Sequence, residues 1–204
     1  VVGADLLYAE GYAGLGVVVG NAEAGHVWGG TDPGAPAGSY EAGHAFLRGQ
    51  VSRYVGSPNV TPGFPVEYDY HATMVGHAIA GAGPLTGSSM GVAPFSQLWS
   101  GAIATSFGNP GDPRPTGTFE ITDTSFHRVY SDFFYGANPT GRGADVVNGS
   151  WGGGPDTDAS GILARATDGL AKANPLTTYV VSAGNDGPAF NSVTDISAGY
   201  NNIA

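Results

Sequence analysis

Short apolar runs alternate with helical stripes along this chain, and that alternation limits its fold more than any other feature. Val17-Val18-Val19 follows Gly14-Leu15-Gly16 and reads as a buried strand. From His71 to Ala80, Met74, Val75, Ala78 and Ile79 recur at helical spacing, and Gly81-Ala82-Gly83-Pro84 ends that helix. Gln97 to Ala104 predicts a second strand. Residues 124–135 place Phe126, Val129, Phe133 and Phe134 on one helical stripe, and Asp145-Val146-Val147 opens a third strand. Ile162, Leu163, Ala166 and Leu170 mark a helix that Asn174-Pro175 stops, and Thr178 to Ser182 is a fourth strand. Residues 29–69 read mostly as loop, with a short helix near 40–54, and residues 106–117 as a Pro/Gly loop. Strand–helix–strand alternation implies right-handed crossovers, hence an α/β fold: a parallel doubly wound sheet with helices on both faces. Ligands bind such sheets at the carboxyl ends of the strands. Here those ends are Ala22–Gly25, Asn148–Gly154 and Ala183–Gly187. The 204 residues show no internal repeat and predict one domain over 1–204.

Composition removes several classes of function. Glycine supplies 35 of the 204 residues, which points to tight turns and close backbone approaches. A 41% hydrophobic content arranged in blocks argues against disorder. The absence of cysteine excludes disulfides, zinc–thiolate sites and a cysteine nucleophile. A net charge of −10 with only seven Lys and Arg leaves no basic footprint for nucleic acid. The apolar runs are too short for a membrane span. An acidic, lysine-poor, cysteine-free chain without an initiator Met or signal peptide suggests a processed secreted or cell-surface protein.

Three segments carry chemistry. The stretch His71-Ala72-Thr73-Met74-Val75-Gly76-His77-Ala78-Ile79-Ala80-Gly81 precedes Gly91-Val92-Ala93-Pro94. It resembles the histidine block of the subtilisin-like serine proteases (subtilases), usually HGTHVAGxxAG followed by GVAP, with Ala72 for Gly and Met74 for the second His. Asn148-Gly149-Ser150-Trp151-Gly152-Gly153 is similar to the family's cleft strand, which pairs with an extended peptide. Trp151 stands for the usual Leu, a change expected to reshape the pocket for the side chain before the scissile bond. Val180-Val181-Ser182-Ala183-Gly184-Asn185-Asp186-Gly187 resembles the block whose Asn donates to the oxyanion, a contribution of about 3–4 kcal/mol.

The family's acid falls on Glu23, with Gly25 matching the family glycine; Asn21 competes for the role but leaves that glycine unmatched. An acid at this place must accept the Nδ1 proton of the base and stabilise the imidazolium, which Glu can do with one extra methylene. The family's nucleophile motif GTSMAxP has no match after Asn185. Gly87-Ser88-Ser89-Met90 imitates it, but Ser89 stands directly after the histidine helix with its Pro one position late.

The resemblance thus implies the N-terminal two-thirds of a secreted serine endopeptidase. Its catalytic residues are Glu23, His71 and Asn185, and Ser150, Trp151, Gly152, Ala183 and Gly184 hold the polypeptide substrate. The nucleophilic Ser is expected outside this chain, in a C-terminal part or fragment of the same precursor. No cofactor is required, and calcium is left open as a structural ion, although no carboxylate lies between Gly81 and Pro94. His26, His44 and His127 show no paired ligand spacing and read as surface or supporting residues. A subtilase-like scaffold without activity, serving as a binding or structural module, is the alternative. A nucleotide-binding domain lacks its phosphate loop here, and His71 argues against a sedolisin-type carboxyl peptidase.

Overall fold

The computed structural model describes residues 3–28, 46–47, 49–56, 69–83, 90–107, 119–136, 141–154, 159–188 and 192–204. Five strands, β1 (Val18–Glu23), β2 (Val51–Val55), β3 (Gln97–Ala102), β6 (Val146–Gly149) and β7 (Thr178–Val181), form a sheet in the order β2-β3-β1-β6-β7. All four pairings are parallel, as the alternation predicts. Strands β4 (Ala104–Phe107) and β5 (Phe119–Ile121) make a separate antiparallel pair.

Side chains on β1 alternate between two cores. Ala22 belongs to the aromatic core built by α3 (Asp123–Tyr135): Phe126, Val129, Tyr130, Phe133 and Phe134, with Leu163, Ala166 and Ala171 of α4 (Ile162–Ala173) beside them. Gly20 and Gly101 lie under α3, where added Cβ atoms would fall 2.6 Å and 2.7 Å from the Phe133 ring. Val19 faces the opposite core, where α2 (Tyr70–Ala80) packs Ala72 and Ala80 with Val27, Leu47, Val51 and Leu98. By the same alternation Asn21 and Glu23 lie on the α2 side.

Three expectations change. The short helix near 40–54 gives way over its described part to turn at 46–47 and 49–50 and to β2 from Val51, because Val51 and Val55 bury themselves beside β3; residues 40–45 and Arg48 lie outside the described residues. The strand expected over Gln97–Ala104 divides after Ala102, where the chain leaves the sheet for the β4–β5 pair. The loop expected over 106–117 therefore begins within β4, and 108–117 lie outside the described residues. Helix α1 (Ala4–Ala9) carries no strong apolar stripe in the sequence and buries no residue.

Candidate active site

The geometry of the site starts at a helix cap. Asp69 precedes α2 with an extended backbone, and its Oδ1 accepts the His71 amide proton at 2.9 Å. Its carbonyl accepts from the Thr73 amide at 3.0 Å and the Thr73 hydroxyl at 2.7 Å. Its own amide donates to the His26 carbonyl at 2.9 Å, which ties the helix start to the chain beyond β1. Small residues on the inner face let α2 lie close to the sheet: a Cβ at Gly76 would meet both Val27 methyls at 3.0 Å. The Ala72 carbonyl in turn accepts from Asn21 Nδ2 at 3.4 Å. These contacts put His71, in the first turn of α2, against the carboxyl end of β1.

There Glu23 Oε2 accepts from His71 Nδ1 at 3.0 Å. The two partners differ sharply in exposure: the Glu23 side chain is 1% exposed and that of His71 41%. Asn21, the competing residue, is turned to other duties: its Oδ1 accepts from Asn148 Nδ2 at 2.8 Å. Burial pushes Glu23 above its ordinary range, against the pull of the His71 hydrogen bond and charge. The nearby Asp69 charge pushes it further up, and the Ser150 backbone amide lowers it. The hydrogen bond to Glu23 raises His71 above its ordinary value; desolvation opposes this, and the Glu23 and Asp69 charges add to it. Glu23 Oε1 is buried with no hydrogen-bond partner among the described residues.

Glu23, Asp69 and His71 each offer a donor atom, all within 4.8 Å of one another. Glu23 Oε2 is already bonded to the His71 ring and Asp69 Oδ1 to the His71 amide, so the three groups form an ion pair with its helix cap.

The other two strand ends lie side by side. Ser182 N donates to Gly149 O at 3.0 Å, and Ser182 Oγ to Trp151 O at 3.2 Å, so the β6–β7 pairing continues past the named strands. Thr194 N reaches Ala183 O and Asp195 N reaches Gly154 O, each at 3.2 Å. Gly184 has φ +100°, and a Cβ there would sit 2.5 Å from Thr194 Cγ2, so only glycine fits. Gly152, Ala183, Gly184 and Asn185 are exposed, while Ser150 is half-buried.

The Trp151 side chain turns inward. It is buried among Phe119, Phe126 and Tyr130, and its Nε1 donates to Tyr130 Oη at 3.0 Å. An indole this large gains more from the aromatic core than from solvent, so its ring packs inward while the neighbouring Gly152 stays exposed. His26 is buried too, facing Ser100 Oγ at 3.3 Å and the edge of Tyr54, whereas His127 is exposed on α3 beside Ser131. His44 and Ser89 lie outside the described residues. Sequence reasoning missed Asp69, although Asp-Tyr-His at the start of a helical stripe is an N-cap signal.

The model of the subtilase family matches residues 41–204, and the chain belongs to that family. Among solved structures it is similar to fervidolysin from Fervidobacterium pennivorans, a keratinolytic enzyme related to subtilisin. The match has TM-score 0.55 and 23% identity over 89% of this chain and 23% of that one. It is also similar to MycP1 with its N-terminal propeptide removed, at TM-score 0.51 and 21% identity over 91% of this chain and 49% of that one. The chain thus spans less than half the length of either, and at these identities the likeness is one of fold. No curated protein sequence matches it.

Proposed function

We propose that this chain carries the acid, the base and the oxyanion donor of a subtilisin-like serine endopeptidase acting on polypeptides. The observation that carries the reading is the 3.0 Å contact between the buried Glu23 carboxylate and His71 Nδ1. A carboxylate held there fixes the imidazole with its proton on Nδ1, so that Nε2 is free to take a proton from a nucleophile. As His71 becomes positive, Glu23 stabilises it; His71 then returns the proton to the leaving amine. Asn185 donates to the oxyanion. Backbone at Ser150–Gly152 and Ala183–Gly184 pairs with the extended substrate. The nucleophilic Ser comes from outside these 204 residues, in the same chain or in a fragment of one precursor, and the protein acts outside the cytoplasm. The chemistry requires no cofactor; calcium, if bound, serves the fold.

Denaturing intact-mass spectrometry of the protein carrying this chain, with and without a fluorophosphonate probe, tests the reading. One added probe mass on a Ser beyond residue 204 supports it. A protein that carries such a Ser, folds and takes no probe is a scaffold and not a peptidase.

A further inference from the structure

His71 lies in the first turn of α2, where the aligned peptide dipoles of a helix start present a positive field. That field disfavours an imidazolium, yet a general base must become one during the reaction. Glu23 faces the ring from β1. A second carboxylate stands on the other side of the problem: Asp69 is only 4% exposed, caps His71 through its backbone at 2.9 Å, and has a carboxylate oxygen within 4.8 Å of the Glu23 and His71 donor atoms.

We propose that Asp69 is a positioning residue of this site: it holds His71 by its amide and sets a fixed negative charge against the positive end of α2. The inference rests on the reading of His71 as the general base for its kinetic meaning. Two observations support it beyond the cap itself. Asp69 is anchored at three further points, through its amide to His26 and through its carbonyl to the amide and the hydroxyl of Thr73, so its charge stays in place. Its charge also acts on both members of the pair, raising His71 and Glu23 alike. Among the described residues, Glu23 from β1 and Asp69 from the cap are the charged groups acting on the His71 ring; the neighbouring Asn21 and Asn148 are neutral. His26 meets Asp69 through its carbonyl, and His77 lies nearly two turns farther along α2.

The cap and the charge separate by substitution. Asn and Ser both cap a helix well and carry no charge, whereas Glu keeps the charge. A histidine-ring NMR titration of the whole protein carrying this chain reads the result, with His71 assigned by its loss in His71→Ala. Asp69→Asn and Asp69→Ser are expected to leave the melting temperature near that of the wild type and to lower the His71 midpoint by about one pH unit. Asp69→Glu is expected to restore much of the shift. Wild-type midpoints in both folded neutral variants would overturn the proposal and leave Asp69 as a cap alone. The titration needs no nucleophile, so it is independent of the peptidase reading. A parent protein that resists the fluorophosphonate removes that reading and leaves the Asp69 result standing, whereas an active protein with an unchanged midpoint removes Asp69 only.

Discussion

The two faces of the sheet are built from opposite materials. The α3 face is aromatic: Phe126 stacks on Tyr130 at 4.5 Å between ring centroids, and Tyr130 and Phe134 each meet Tyr179 edge-on. The α2 face is built around small side chains, Ala72, Gly76 and Ala80. Large rings contribute area and stability, while small residues let a helix backbone come close enough to deliver His71 to the end of β1. The difference teaches that the aromatic packing and the Glu23–His71 pair lie on separate faces of one sheet, with β1 supplying residues to both.

Substitutions on the two faces therefore should fail in different ways. The largest effect is expected at the chemistry. His71→Ala in the active peptidase should lower kcat by about 10⁴-fold or more, with a melting curve close to that of the wild type. Next comes the aromatic face. Phe133→Ala removes a fully buried ring and should cost about 3–5 kcal/mol in denaturant unfolding, whatever its effect on turnover. A large loss of stability in the first variant, or none in the second, would break the comparison.

Gly76→Ala sharpens it. The new methyl would lie 3.0–3.1 Å from Val27 and Leu98, an overpacking cost of about 1–3 kcal/mol set against roughly 1 kcal/mol of helix propensity. A small change in stability with a clear fall in kcat is expected, because α2 carries His71.

The smallest effect is the pH dependence of stability. Both Glu23 and His71 are raised above their ordinary values of 4.5 and 6.5, so the folded chain holds more protons than the unfolded one in that window. For His71, the stabilisation is fully present below 6.5 and fades as pH rises through its raised value. For Glu23, the cost of burying the charge accumulates above 4.5. This pair's contribution should therefore fall as pH rises, and Glu23→Gln should flatten that slope in urea unfolding at several pH values.

Much of this was legible in the chain. The apolar blocks gave the parallel strands, and the stripe of Phe126, Val129, Phe133 and Phe134 gave α3. Glycine matching favoured Glu23 over Asn21, and it is Glu23 that meets the His71 ring. Both residues lie on the α2 side of β1, but Glu23 stands two positions nearer the carboxyl end, and Asn21 is already bound to Asn148 and to the Ala72 carbonyl. What local pattern could not show was set by tertiary partners. β2 becomes a strand because β3 is beside it, Trp151 turns inward because Tyr130 and Phe126 offer it a core, and Gly184 is fixed by Thr194 from farther along the chain.

The pairing of Glu23 with His71 is tested most directly by the pH dependence of fluorophosphonate labelling in the wild type and in Glu23→Gln. Labelling should rise with pH as His71 loses its proton, with a midpoint above 6.5 in the wild type. In Glu23→Gln the midpoint should move down and the plateau fall by about 10⁴-fold, roughly 5.5 kcal/mol of transition-state stabilisation. An unchanged midpoint and plateau in the folded variant would show that Glu23 does not act on His71 and would contradict the account.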